Sequence, residues 1–141
     1  MSFEEPDMKK MTLIILAAFL FLLAACTGKA DQGGTKHEFT KISQEDAKAM
    51  MAKDDGHVVV DVRRQDEYEA GHIPGAILIP NESIGSDAPE ALPDYNQIIL
   101  IYCRSGNRSK QAAEKLAGMG YSNIYEFGGI NTWTGEIVTG K

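Results

Sequence analysis

Apolar positions in this chain follow two periodicities. Residues 57–62 (HVVVDV), 76–79 (AILI) and 98–102 (IILIY) are short, unbroken apolar runs rich in β-branched side chains. Continuity rather than alternation predicts strands buried on both faces, as in a parallel sheet covered by helices. Two weaker segments, 38–42 (EFTKI) and 123–127 (NIYEF), bring the expected strands to five. Helical spacing fills the intervals. After Ser43, a suitable N-cap with Asp46 near the capping-box position, Ala47, Met50 and Met51 recur at i, i+3 and i+4. Residues 109–120 set Ala112, Ala113, Leu116 and Ala117 on one face, and Gly120 is a natural helix stop. Shorter helical turns are expected at 64–71 and 130–135. Strands alternating with helices predict an α/β fold, a central, mostly parallel five-stranded sheet with helices on both faces.

The amino-terminal pattern is different. Lys9 and Lys10 precede an apolar stretch, residues 11–25, that is short for a membrane span and ends in small residues. That order is the order of an export signal. Leu23-Ala24-Ala25-Cys26 resembles the lipobox of bacterial lipoproteins. The resemblance implies cleavage after residue 25, lipid attachment to Cys26, and a protein anchored outside the cytoplasmic membrane, in the periplasm or on an outer face. Residues 1–7 (MSFEEPD) are acidic, unlike the start of such a signal, so Met8 is a second candidate start. Residues 26–36 then form the lipidated cysteine and a small, polar, flexible tether, and residues 37–141 a single domain.

Composition narrows the function. The chain has 141 residues, 43% hydrophobic and 24% charged, which suits one globular domain. A net charge of -6 gives no general basic field for nucleic acid. The two cysteines are Cys26 and Cys103. If Cys26 carries lipid, Cys103 is left as a free thiol where disulfides form readily, and a leftover cysteine there calls for a functional explanation.

Cys103 follows an apolar strand and opens a polar loop, CRSGNRS, expected to lead into a helix near Arg108 or Ser109. Asp61 sits near the carboxyl end of another strand, and ligands of open α/β sheets bind at that edge. The first N–H groups of a helix and its dipole stabilise a thiolate, the nucleophilic form of cysteine. Arg104 and Arg108 add positive charge, while Gly106 lets the backbone turn so that successive N–H groups converge on an anion. Ser105, Asn107 and Ser109 complete the loop, chiefly through their backbone N–H groups. Asp61 and Arg63 read as scaffold, with Arg63 free to pair with Asp61 or Glu67. Trp133 is expected to pack under or beside the loop. His37, His57 and His72 read as tether, turn or surface residues.

Three motifs give this loop a family resemblance. The cysteine loop, the upstream DVRRQDEYEAGHIPGA (61–76) and the later GGINTW (128–133) stand in the order found in rhodanese-like domains, over nearly the whole expected domain. The chain departs from that pattern at Leu78, where the family often has Asn. The resemblance implies a sulfurtransferase: Cys103 as the catalytic residue, a persulfide intermediate, a small anionic donor such as thiosulfate, and a thiol or cyanide acceptor. Arg104, Ser105, Gly106, Asn107, Arg108 and Ser109 would bind substrate, with Asp61, Arg63 and Trp133 in support. It implies no metal or organic cofactor and a monomer by default. A cysteine phosphatase or arsenate reductase is the enzymatic rival, but the loops of that class are one residue longer than the four residues, Arg104 to Asn107, that separate Cys103 from Arg108. A non-catalytic sulfane-sulfur carrier or interaction module is the other.

Overall fold

The computed structural model describes residues 37–141. The expected signal segment, the lipidated Cys26 and the tether lie outside the described residues. Within them, the apolar runs form a five-stranded sheet of order β1-β5-β4-β2-β3. The strands are β1 (Thr40–Lys41), β2 (Val58–Asp61), β3 (Ile77–Leu78), β4 (Ile98–Cys103) and β5 (Asn123–Gly129). Every pairing is parallel, so the carboxyl ends of the strands share one edge.

The unbroken apolar runs have the expected cause. Successive side chains of a strand point to opposite faces. Val60, Ile99, Ile101 and Ile124 enter one core with Ala112, Ala113, Leu116 and Ala117 of helix α3 (Asn107–Met119). Val59, Leu100 and Phe127 enter a second core with Ala47 of helix α1 (Gln44–Met51) and Tyr68 of helix α2 (Gln65–Ala70). Helices therefore cover both faces, and Ile99 to Cys103 of β4 alternate between the two cores. Burying a side chain such as Leu116 contributes about 1.5–3 kcal/mol.

The helix boundaries follow local chemistry. Ser43 caps α1 by accepting the Asp46 N–H at 3.0 Å, and its hydroxyl donates to the Asp46 carboxylate at 2.7 Å. At the end of α3, Gly120 takes the left-handed conformation at φ 107° while the Tyr121 N–H returns to the Leu116 carbonyl, a closure that suits glycine. The α3 helix starts at Asn107 with Gly106 as its N-cap, earlier than the expected start near Arg108 or Ser109. The left-handed turn at Gly106, φ 105°, brings the chain into the helix sooner. Two strands are shorter than their apolar runs suggested, β1 and β3 having two residues each. Both are at sheet edges, where one side lacks a pairing partner. Residues 130–135 yield only the 3-10 turn Ile130–Thr132.

Candidate active site

Cys103 is the last residue of β4 rather than the first residue past it. Its pairing with Gly129 follows a register shift: two steps along β4, Ile101 to Cys103, face three along β5, Glu126 to Gly129. This bulge carries the extra residue at the carboxyl edge of the sheet, beside the cysteine. Cys103 belongs to the core on the α3 side and is 1% exposed.

The loop folds back over the sulfur. The Gly106 N–H donates to Cys103 Sγ at 3.0 Å. Burial alone would push the thiol up. Hydrogen bonding from the Ser109 hydroxyl and from the N–H groups of Ser109, Gly106 and Ser105 outweighs it and holds the thiol below its ordinary value. The backbone N–H groups are fixed by the turn. The Ser109 hydroxyl has one proton, and its shortest contact is to the Glu126 carboxyl at 2.6 Å, so it must turn from Glu126 to serve the sulfur. The resulting site is a thiol poised to ionise at the start of a helix.

The β5 strand supports this loop from beneath. Glu126 is 3% exposed, and its Oε1 accepts both the Ser109 hydroxyl and the Gly128 N–H, the latter at 2.8 Å. The Asn131 N–H donates to the Arg104 carbonyl at 3.2 Å. Gly129 lies against the same carbonyl, where a side chain has no room. A cleft of about 500 Å³ opens beside the loop, lined in part by Lys41, Ser105, Lys110 and Glu126.

The residues expected to bind or support separate into groups. Arg104, Ser105, Gly106 and Asn107 form the turn itself. The Arg104 side chain is exposed, with no hydrogen bond or ion pair among the described residues. Ser109 is fully buried and turned inward to Glu126. Arg108 departs from the expectation of a cation turned to substrate. Its Nη1 and Nη2 donate to the two carboxylate oxygens of Glu67 at 2.7 and 2.9 Å. The α2 helix begins just across from α3, and a bidentate carboxylate there satisfies the guanidinium fork. Hydrogen bonding from Arg108, against a smaller opposing effect of burial, holds the Glu67 carboxyl at about 2, well below the usual range.

Asp61 and Arg63 share the strand edge with Cys103 but lie on the opposite face. Asp61 is fully buried and receives Arg63 Nη2 at 2.6 Å, along with the Arg63 N–H at 3.0 Å. The same guanidinium donates to the Gly71 carbonyl at 2.7 Å and stands over the Tyr102 ring. Of the two partners open to it, Arg63 takes Asp61, and Glu67 goes to Arg108. The pair ties β2 to the segment after α2. Trp133 differs from its expected place beside the loop. Its ring packs against Phe127 at 5.7 Å between centroids, with the Lys48 ammonium 5.1 Å away, so it closes the α1 side. The turn at Ile130–Thr132 carries it past the loop and over α1. His72 stacks on Tyr68 and places Nδ1 2.9 Å from its carbonyl, a local fastening.

Two residues of this site escaped the sequence reading. Glu126 was visible only as an acidic residue in an apolar strand, and Glu67 only as one possible partner for Arg63.

Comparison with known proteins agrees with this fold. The family model for the Rhodanese-like domain matches residues 43–136. A thiosulfate sulfurtransferase GlpE of Pseudomonas entomophila is 42% identical over 97 residues, covering 68% of this chain and 85% of the relative. A thiosulfate sulfurtransferase PspE of Escherichia coli is 38% identical over 71 residues, 50% of this chain and 68% of the relative. Among solved structures, a rhodanese with anions from E. coli superposes with a TM-score of 0.55 at 34% identity, covering 60% of this chain and 99% of that one.

Proposed function

Because the chain belongs to the rhodanese-like domain family, we propose that it transfers a sulfane sulfur from thiosulfate or a similar donor to a nucleophilic acceptor through a persulfide on Cys103. The observation that carries this reading is the Gly106 N–H held 3.0 Å from Cys103 Sγ at the start of α3. The names of the relatives, thiosulfate sulfurtransferases in two bacterial genera, support the donor class.

In the first half-reaction the Cys103 thiolate attacks the outer sulfur of the donor. A bond forms between Sγ and that sulfur, the donor S–S bond breaks, and its electron pair leaves with sulfite. The persulfide then occupies the space that the loop N–H groups surround. In the second half-reaction a thiol or cyanide attacks the outer sulfur, and Sγ takes back the electron pair as thiolate. Two transfers through one covalent intermediate require ping-pong kinetics. The loop contributes by stabilising anionic sulfur both before attack and on departure. Asp61, Arg63 and Trp133 act only through the scaffold in this reading.

A soluble chain from Thr27 onward, supplied with thiosulfate and cyanide, tests the proposal through thiocyanate release. Turnover that vanishes in Cys103→Ser supports it. Hydrolysis of an aryl phosphate without sulfur transfer would favour the phosphatase instead. The export reading joins this one as a proposal: Cys26 carries lipid and holds the domain outside the cytoplasmic membrane. Cys26→Ser should then release the protein from the membrane fraction.

A further inference from the structure

The ion pair between Glu67 and Arg108 has a consequence for the choice of donor. Arg108 stands in the first turn of α3, one residue before Ser109, so its positive charge lies within electrostatic reach of Cys103. Yet both Nη groups are committed to the two oxygens of Glu67. Glu67 is held in turn by the Arg64 N–H at 3.1 Å, which fixes it to the start of α2. The paired side chains are only 24% and 16% exposed, so water competes weakly for either charge. The pair brings a net charge of zero to the site. Arg104 is then the remaining loop cation, and it is exposed to solvent.

We propose that Glu67 sets the charge selectivity of the Cys103 site: by occupying the Arg108 fork it withholds that cation from incoming anions. The site thereby favours a sulfur donor of single charge, an organic persulfide, over a dianion such as thiosulfate. This rests on the sulfur-transfer reading and narrows its donor class. A dianion must either break a bidentate pair or approach a thiolate with Arg104 as the one loop cation left, helped by Lys41 and Lys110 of the cleft beside the loop. An organic persulfide brings one charge fewer and loses less. Thiosulfate remains a substrate under this scheme, at a lower kcat/KM than the loop sequence alone would suggest.

The test separates charge selection from turnover. Alkylation of Cys103 by iodoacetate, an anion, is compared with alkylation by iodoacetamide, a neutral reagent of similar shape. The ratio of the two rates is measured in the wild type, Glu67→Gln, Arg108→Gln and the double variant. Gln at 67 keeps an oxygen for the Arg64 N–H, and Glu67→Ala serves as a second neutral variant. Neutralising Glu67 should raise the ratio roughly three- to tenfold at low ionic strength and less in salt. Arg108→Gln, which leaves Glu67 unbalanced, should lower it, and the double variant should return close to wild type. With donors, Glu67→Gln should raise kcat/KM for thiosulfate more than for the singly charged persulfide of a neutral thiol such as 2-mercaptoethanol. A folded Glu67→Gln protein whose ratio is unchanged or lower would overturn the proposal, because Glu67 would then only position Arg108 for the anion. Normal alkylation without sulfur transfer would instead count against the sulfurtransferase reading alone. A wild-type Cys103 that neither reagent modifies would overturn both.

Discussion

Gly129 lies directly against the backbone of Arg104. A β-carbon at 129 would overlap the Arg104 carbonyl and come within 2.6 Å of Ser105 Cα. The backbone at Gly129 is ordinary extended chain, φ -128°, so space rather than conformation demands glycine here. The second glycine of the GGINTW motif is therefore the floor of the cysteine loop. Gly129→Ala should push the loop off β5. We expect a loss of about 1–3 kcal/mol in stability by urea titration. A larger relative loss of sulfur transfer should accompany it, since the displaced N–H groups no longer face Sγ.

The lowered Cys103 thiol predicts a pH dependence with a definite sign. The folded thiol ionises at lower pH than the unfolded one, so the folded state gains stability from the thiolate above the unfolded thiol's value. That gain is lost as pH falls through the lower folded value. The rate of reaction with iodoacetamide, and the ultraviolet absorbance of the thiolate, should rise at lower pH than for an unstructured cysteine peptide. Ser109→Ala removes one donor while leaving the backbone N–H groups in place. Its titration should move up in pH without returning fully to the peptide value.

Glu126 should matter for geometry as much as for charge. Removing it leaves the Gly128 N–H short of an acceptor in a buried place and leaves the Ser109 hydroxyl to the Gly106 carbonyl at 3.0 Å. Glu126→Ala should cost about 1–3 kcal/mol in stability. Glu126→Gln keeps an oxygen for both donors and should lose less, in stability and in activity, when the two variants are compared in the same denaturation and thiocyanate assays.

The Asp61–Arg63 pair is a buried one, and its partners are unequal to replacement one at a time. Asp61→Ala leaves the Arg63 guanidinium in the core, where the Gly71 carbonyl still accepts from it but its carboxylate partner is gone. Breaking such a pair costs about 3–5 kcal/mol. The variant should unfold at markedly lower urea, while any folded fraction should still form a persulfide at Cys103, because the pair lies on the other face of the sheet.

Acid should expose the Glu67–Arg108 pair. The Glu67 carboxyl moves from 4.5 to about 2 on folding. Its contribution to stability is fully present above the unfolded value and disappears as pH falls toward about 2. Across that interval, Glu67→Gln should lose stability less steeply than the wild type in acid titrations followed by circular dichroism.

Much of this was legible in the chain because its causes are local. The runs at 58–60 and 98–102 are apolar without a break since both sheet faces are covered, and burial on two sides leaves no polar positions. Gly106 and Gly120 announce backbone turns that other residues adopt poorly. The cysteine loop is legible because its turn, its cations and its helix start lie within seven residues. What was hidden depends on residues distant in sequence. Arg108 meets Glu67 across 41 positions, and Ser109 meets Glu126 across 17. The bulge in β5 shifts register at the cysteine with no turn residue to mark it beyond the glycine pair. Trp133 lies so near that pair in sequence that its departure to the α1 side is invisible without the intervening 3-10 turn.

The central claim is that Cys103 carries the sulfur in transit. The most direct test is the intact mass of the domain after a sulfur donor, thiosulfate or glutathione persulfide, and before any acceptor. The account predicts a gain of one sulfur atom on the wild type, reversed by cyanide with release of thiocyanate, and no gain on Cys103→Ser. An unchanged wild-type mass with both donors, or an equal gain in the serine variant, would contradict it.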